Sequence, residues 1–216
     1  MMPTGSAMSC RKMASALYEY GYIVPQGIRQ LGRIEEILEA PHSDLPDLMR
    51  DECRDLLDQI AEQTVRINAR MEKIKALAAE ADTARRLQTI PGVGPMTALA
   101  VEAFAPSMES FNCGRAFAAW LSFVPRQFSS GGKERLSHTS KAGQADIRRL
   151  LIIGAMSRLN WMGRKSIPKS SWLAQITSRK PRMLVAITLA NKMARTMWAM
   201  LTKNEDFRVP AQAGAA

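Results

Sequence analysis

Between Asp47 and Gln88 the chain runs for 42 residues without a glycine or a proline. Within that stretch Cys53, Leu57, Ile60, Thr64, Ile67, Met71, Ile74, Ala78 and Ala81 recur at alternating intervals of four and three. This recurrence keeps one narrow stripe of a helix turned toward a single partner, as in a coiled coil. The other faces are charged, so the helix is expected to form a long arm and not to sit in a closed core. Thr64 and the two alanines weaken the stripe. Its partner is a second subunit or a helix of the same chain, and self-association through residues 47–88 is the expectation.

The rest of the chain divides around that arm. Residues 1–46 read as an unstructured leader over 1–13 and short helices near Ala14–Tyr20 and Ile28–Ala40. Pro91-Gly92-Val93-Gly94-Pro95 ends the arm, and helices are expected over Met96–Phe104, Phe111–Leu121, Gly143–Met162 and from Pro181 onward. Between them, Ser122–Ala142 is a long Ser/Gly loop with room for a short hairpin, and loops of that length are often functional. The expected fold is mostly α: an arm over 47–88, a compact helical domain over 89–207, and a disordered tail over 208–216. In that domain Phe117, Trp120, Leu121, Ile147, Leu151, Ala155, Leu184, Ile187, Ala194 and Trp198 are core candidates, and the tryptophans generally are expected in the core.

Charge is distributed unevenly. Residues 1–88 hold 12 Lys/Arg and 14 Asp/Glu, whereas residues 89–216 hold 18 and 6, a difference of +12. Such polarity suggests a polyanionic partner, of which nucleic acid is the usual one, although a solvated basic surface gives the same count. No apolar run approaches the roughly 20 residues of a membrane span. Three widely spaced cysteines argue against a disulfide framework, and two histidines against a Cys/His zinc site. No metal or other cofactor is expected in this chain, and a reducing, cytoplasmic location fits.

Three segments could carry chemistry. Gly92 and Gly94, set between two helices, have the pattern of a helix-hairpin-helix, whose second helix offers backbone N–H groups to a phosphate. Met96 stands where a basic residue would strengthen that reading, so a purely structural turn remains open. Pro125-Arg126-Gln127-Phe128-Ser129-Ser130-Gly131-Gly132-Lys133-Glu134-Arg135 places serines and glycines among cations. A serine hydroxyl can attack phosphorus, and the cations would stabilise the charge that develops; on composition alone an exposed loop serine is the commoner outcome. Ser140-Lys141-Ala142-Gly143 then leads into a helix bearing Arg148 and Arg149, with His138 a bystander or a general base. A last basic cluster (Arg164, Lys165, Lys169, Arg179, Lys180, Arg182) is interleaved with Trp161 and Trp172.

The order of these features is itself informative. Ile90-Pro91-Gly92-Val93-Gly94, Phe117-Ala118-Ala119-Trp120-Leu121, Val124-Pro125-Arg126, Ser129-Ser130-Gly131-Gly132-Lys133, Ser140-Lys141-Ala142-Gly143 and Ile147-Arg148-Arg149-Leu150-Leu151 follow one another. The series resembles the C-terminal domain of the IS110 (IS116/IS110/IS902) insertion-sequence transposases, with which the Piv-type DNA invertases belong. That resemblance covers about Thr89 to Phe207. It implies a DNA transposase or recombinase domain with Ser130 as nucleophile (Ser129 as fallback) and Arg126, Lys133, Arg135, Lys141, Arg148 and Arg149 as phosphate contacts. It also implies DNA, and a structured guide RNA, as partners. In the family an RNase-H-like domain with a divalent-metal site precedes this region. Residues 1–46 are too short for it, so the chain is expected to be a truncated enzyme or to join a separately encoded RNase-H-like half. The alternatives are a non-catalytic nucleic-acid-binding module and a dimerising regulatory fragment.

Overall fold

The computed structural model describes residues 4–40, 44–127, 136–139, 143–162 and 171–208. Among the described residues helices dominate, with one two-stranded ribbon, and the chain divides into two compact units, residues 1–72 and 73–216. Among the described residues no helix is long and apolar enough to cross a membrane.

The first unit contains helix α1 (Thr4–Glu19), helix α2 (Leu31–Glu39) and most of helix α3 (Asp47–Glu80). Residues 4–13, expected to be a leader, are helical. The reason is the spacing of Cys10, Met13 and Leu17, three and four residues apart, which places all three on one buried face. They pack with Val24, Ile34, Leu38 and Leu45, and α3 adds Cys53 and Ile60. Arg50 fastens the α2–α3 connection, donating from Nη1 to the Leu38 carbonyl (2.6 Å) and from Nε to the Leu45 carbonyl (3.3 Å). The Leu38 carbonyl belongs to the last turn of α2, where no intrahelical donor is available.

The heptad stripe is therefore occupied at both ends by the chain itself. Cys53 and Ile60 lie in the first core and Ala78 in the second. Every residue from Ala61 to Arg70 is exposed, including Val65 and Ile67. The helix does not continue to Gln88. It stops at Glu80, Ala81 turns extended (φ −76°, ψ 117°), and α4 (Asp82–Gln88) begins. Gln88 Nε2 bridges this break by donating to the Ala78 and Ala84 carbonyls. The break turns Ala84 and Leu87 into the second core, which thus begins before Thr89.

The second unit continues with α5 (Pro95–Phe104), α6 (Gly114–Trp120), strands β1 (Pro125–Gln127) and β2 (Leu136–Thr139), α7 (Ala145–Met162), α8 (Trp172–Thr177) and α9 (Arg182–Lys203). Helix α9 is the hub, touching α4, α6, α7 and α8. It buries Val185, Ala186, Leu189, Ala190, Met193, Ala194, Met197 and Met200. The five larger side chains alone contribute on the order of 10 kcal/mol of apolar burial. Leu184, expected on that face, is half exposed, because the buried stripe is centred on Val185 and Leu189. Asn204, left-handed at φ 53°, ends α9 and accepts from Arg86 Nη1 (2.8 Å), which ties this end to α4. Of the expected tail over 208–216, all but the first residue lies outside the described residues.

Burial pushes the Cys10 thiol up, and that of Cys53 up as well, with Glu52 adding repulsion to the Cys53 thiolate. Cys113 is exposed. A raised thiol pKa favours the neutral form in the folded state. The associated stability is full below the unfolded thiol's pKa and is lost as pH rises through the folded one. Mass-resolved alkylation at neutral pH should label Cys113 in the native chain and reach Cys10 and Cys53 only on unfolding. Equal labelling of all three thiols would contradict this packing.

Candidate nucleic-acid interface

The long loop is built as a ribbon with a fastened base. Helix α6 ends when Ser122 takes a left-handed conformation (φ 61°), so that the Ser122 N–H reaches the Ala119 carbonyl (2.8 Å) and the Phe123 N–H the Ala118 carbonyl (2.9 Å). This paired ending normally uses glycine at the left-handed position. Serine costs roughly 1 kcal/mol there, but its buried Oγ accepts the Gly143 N–H at 2.8 Å. The chain leaving the ribbon is thereby held against the chain entering it. A Cβ on Gly143 would lie only 2.5 Å from that same Oγ and closer still to the Trp120 carbonyl oxygen. No other residue fits.

Beyond the fastened base, Pro125 pairs with Thr139 and Gln127 with Leu136 in an antiparallel register, with a bulge between the two pairs. The strands therefore bracket residues 128–135. Ser129, Ser130, Lys133 and Arg135 fall inside that bracket, and Lys141 follows β2; all five lie outside the described residues. Arg126 is in β1 and His138 in β2. Arg148 and Arg149 lie in the first turns of α7. Arg148 is half-buried and donates from Nη1 to the Leu121 carbonyl (3.4 Å), directly beside the fastened base, while Arg149 is exposed. The structure thus gathers the strand of Arg126, the end of the ribbon at Gly143, and Arg148 around one point.

The two hairpin glycines lie elsewhere. Gly92, at φ +99°, packs backbone to backbone against Gly154 of α7: an added Cβ would meet the Gly154 carbonyl oxygen at 2.9 Å. A Cβ on Gly154 would overlap the Gly92 carbonyl oxygen. Close helix packing thus accounts for Gly92. Gly94 precedes α5 and faces open space, but Pro95 removes the first amide donor of the helix and Thr97 is buried. Arg148 and Gly154 are six residues apart on α7, roughly 9 Å along its axis. Arg158, not singled out by sequence, stands by the glycine turn and donates from Nη1 to the Pro91 carbonyl (3.5 Å). Burial lowers its pKa. No local motif marks it, since its neighbour Pro91 is 67 residues away.

Trp120 and Trp198 pack against the core as expected, but the other two tryptophans do not. Trp161 is 62% exposed and Trp172 39%. In α8, Leu173 is buried and Ile176 packs on the core, which turns the preceding Trp172 outward. Its ring carries the Lys192 ammonium at 4.3 Å from the centroid.

Among the described residues no group of three or more His, Cys, Asp or Glu side chains could hold a metal ion.

The profile of the IS116/IS110/IS902 transposase family matches residues 84–169, from α4 past the end of α7. The chain carries a transposase domain of this family. Over 202 residues it is 37% identical to a probable family 20 transposase of Pseudomonas aeruginosa, an alignment covering 92% of this chain and 60% of that protein. Over 196 residues it is 35% identical to the transposase for insertion sequence element IS1111A of Coxiella burnetii, covering 90% and 54%. Over 200 residues it is 32% identical to the transposase for IS1328 of Yersinia enterocolitica, covering 91% and 58%. The chain thus spans between half and three fifths of the length of these relatives. In the transposase domain the matched segment contains both the ribbon and the glycine contact.

Replacing Ser122 separates its two roles. Ser122→Gly relieves the left-handed strain but loses the Gly143 hydrogen bond, so its net effect should stay within about 1 kcal/mol. Ser122→Ala keeps the strain and loses the bond, and should cost about 1–3 kcal/mol. Urea melts check the order, and Ser122→Ala as stable as wild type would contradict the fastening role.

Proposed function

We propose that this chain contacts DNA through the ribbon side of its second unit and supplies a serine nucleophile for transposition. The observation that carries the reading is the ribbon itself. A serine- and cation-rich segment is bracketed by paired strands whose base is fastened by Ser122 and Gly143, within a domain of a transposase family. A fixed base restricts where the tip can go, and pre-positioning of a nucleophile lowers the barrier to attack.

In the proposed step the Ser130 Oγ attacks the phosphorus of a DNA phosphodiester, with Ser129 as the alternative. The Oγ–P bond forms and the bond from phosphorus to the leaving deoxyribose oxygen breaks. The proton released by the serine ends on that oxygen, which departs as a hydroxyl. Attack by the same or another strand's hydroxyl reverses the step and frees the serine. The phosphoserine retains the ester, so rejoining needs no external energy source. Arg126, Lys133, Arg135, Lys141, Arg148 and Arg149 are the proposed phosphate contacts, with Gly92 and Gly94 shaping the neighbouring surface. A structured RNA and an RNase-H-like half are proposed partners on the resemblance alone.

A strand carrying a bridging phosphorothiolate tests the nucleophile, because the departing thiolate cannot rejoin and the covalent species accumulates. The wild-type chain should form a protein–DNA adduct, and Ser130→Ala should abolish it while binding persists. Loss only with Ser129→Ala moves the role by one residue. Binding without any adduct would leave the non-catalytic module as the answer. Binding to duplex should also weaken steeply with salt. Six phosphate contacts correspond to a slope of about −5 in log K against log salt, and a flat dependence would sink the basic-surface argument.

We also propose self-association through α3, supported by the exposure of Val65 and Ile67 between the two covered ends of the heptad stripe. Ile67→Glu should shift the chain toward monomer in sedimentation equilibrium without lowering its helix content. A wild-type chain already monomeric at high concentration would exclude it.

A further inference from the structure

The side of α9 next to its buried stripe carries a line of cations that the nucleophile reading does not use. Lys192 and Arg195 are three residues apart, so they stand about 4.5 Å apart along the same side of the helix. Helix α6 begins against this line. Gly114 is so close to the α9 backbone that an added Cβ would meet the Arg195 carbonyl oxygen at 3.1 Å. Its neighbour Arg115 is exposed, as is Arg195. At the other end α8 presents Trp172, held over Lys192. Ser171 fixes the start of α8 by accepting the Ala174 N–H at 3.2 Å, and Leu173 anchors it in the core. Among the described residues no carboxylate pairs with Arg115, Lys192 or Arg195.

The chain entering the ribbon is held against α9 next to this line. Asn191, adjacent to Lys192, donates from Nδ2 to the Phe123 carbonyl at 3.2 Å, two residues before β1. A nucleic-acid strand engaged at the ribbon base would have Trp172, Lys192, Arg195 and Arg115 within its onward path over α9.

We propose that these four side chains form a track for an unpaired DNA strand, with Trp172 stacking on a base and the three cations meeting backbone phosphates. The tryptophan decides for an unpaired strand. An intact duplex stacks its bases on one another and offers an outward indole only phosphates, whereas an unpaired base has a free face for it. Arginine and lysine without carboxylate partners supply the sequence-independent attraction to the backbone. An acidic peptide would satisfy the cations but leave the indole without a flat partner. This inference rests on the DNA-contacting reading above and adds a strand state and a location to it.

The test uses fluorescence anisotropy of the full chain with a labelled single strand of about 20 nucleotides, long enough for several contacts. The same sequence as duplex DNA and as RNA completes the set. Trp172→Ala should weaken single-strand DNA binding by about tenfold or more and leave the duplex almost unchanged. Trp172→Phe, which keeps a stacking face, should stay within about threefold of wild type. Arg195→Gln and Arg115→Gln should each reduce the single-strand salt slope by about 0.7. Thermal melts of each variant show whether the fold is kept. Equal losses on both DNA forms, or Trp172→Phe as weak as Trp172→Ala in a folded protein, would overturn the track while leaving duplex binding intact. Tighter binding of the RNA strand would overturn its assignment to DNA. A wild-type chain that binds no DNA would overturn the broader reading with it.

Discussion

The second unit depends on one constraint: α9 must be covered along its buried stripe. A helix with eight side chains removed from water has to be covered on every quarter that carries them, and α4, α6, α7 and α8 provide that cover. The methionines at 193, 197 and 200 adapt their unbranched side chains to these several surfaces. The glycine contact between Gly92 and Gly154 follows from the same need, since the terminal methyl of Met193 lies 3.3 Å from where a Cβ on Gly92 would stand. Bulk there would push the glycine turn away from α7.

That scaffold gives the ribbon a rigid origin. Ser122 adopts a conformation that serine normally avoids, and it does so where its hydroxyl joins two chain positions 21 residues apart in sequence. Strain of this kind persists only where surrounding contacts impose it, and it gathers at functional sites. Arg148 and Asn191 fasten the neighbouring carbonyls of Leu121 and Phe123. Three hydrogen bonds from distant positions thus converge on three consecutive residues, Leu121 to Phe123.

Much of this was legible from residue order. The long helix, the helices after the glycine turn and the excursion between α6 and α7 all follow from periodicity and from the positions of Gly and Pro. The partner of each surface was not legible. The heptad stripe does not say that Cys53 and Ile60 are covered by α1 and α2. Nor does it reveal the break at Ala81, which contains no glycine or proline and depends on Gln88 and on the burial of Leu87. Residues 4–13 lack a repeat long enough to announce a helix; tertiary burial of Cys10 and Met13 decides it. Tryptophan suggests a core position by type, yet the direction of Trp172 is set by Leu173 beside it. At the candidate site, sequence order picked out the ribbon cations. It missed Arg158, Lys192, Arg195 and Arg115, which become neighbours of the site only through helix packing.

The proposed function and the proposed track both require DNA to engage the ribbon base and the adjoining side of α9. Amide hydrogen exchange of the full chain, with and without a saturating DNA duplex carrying a single-stranded extension, tests it most directly. New protection is expected over residues 122–149 and in the stretch of α9 around Lys192 and Arg195, with α1 and α2 unchanged. Protection confined to the first unit, with 122–149 exchanging as before, would contradict it.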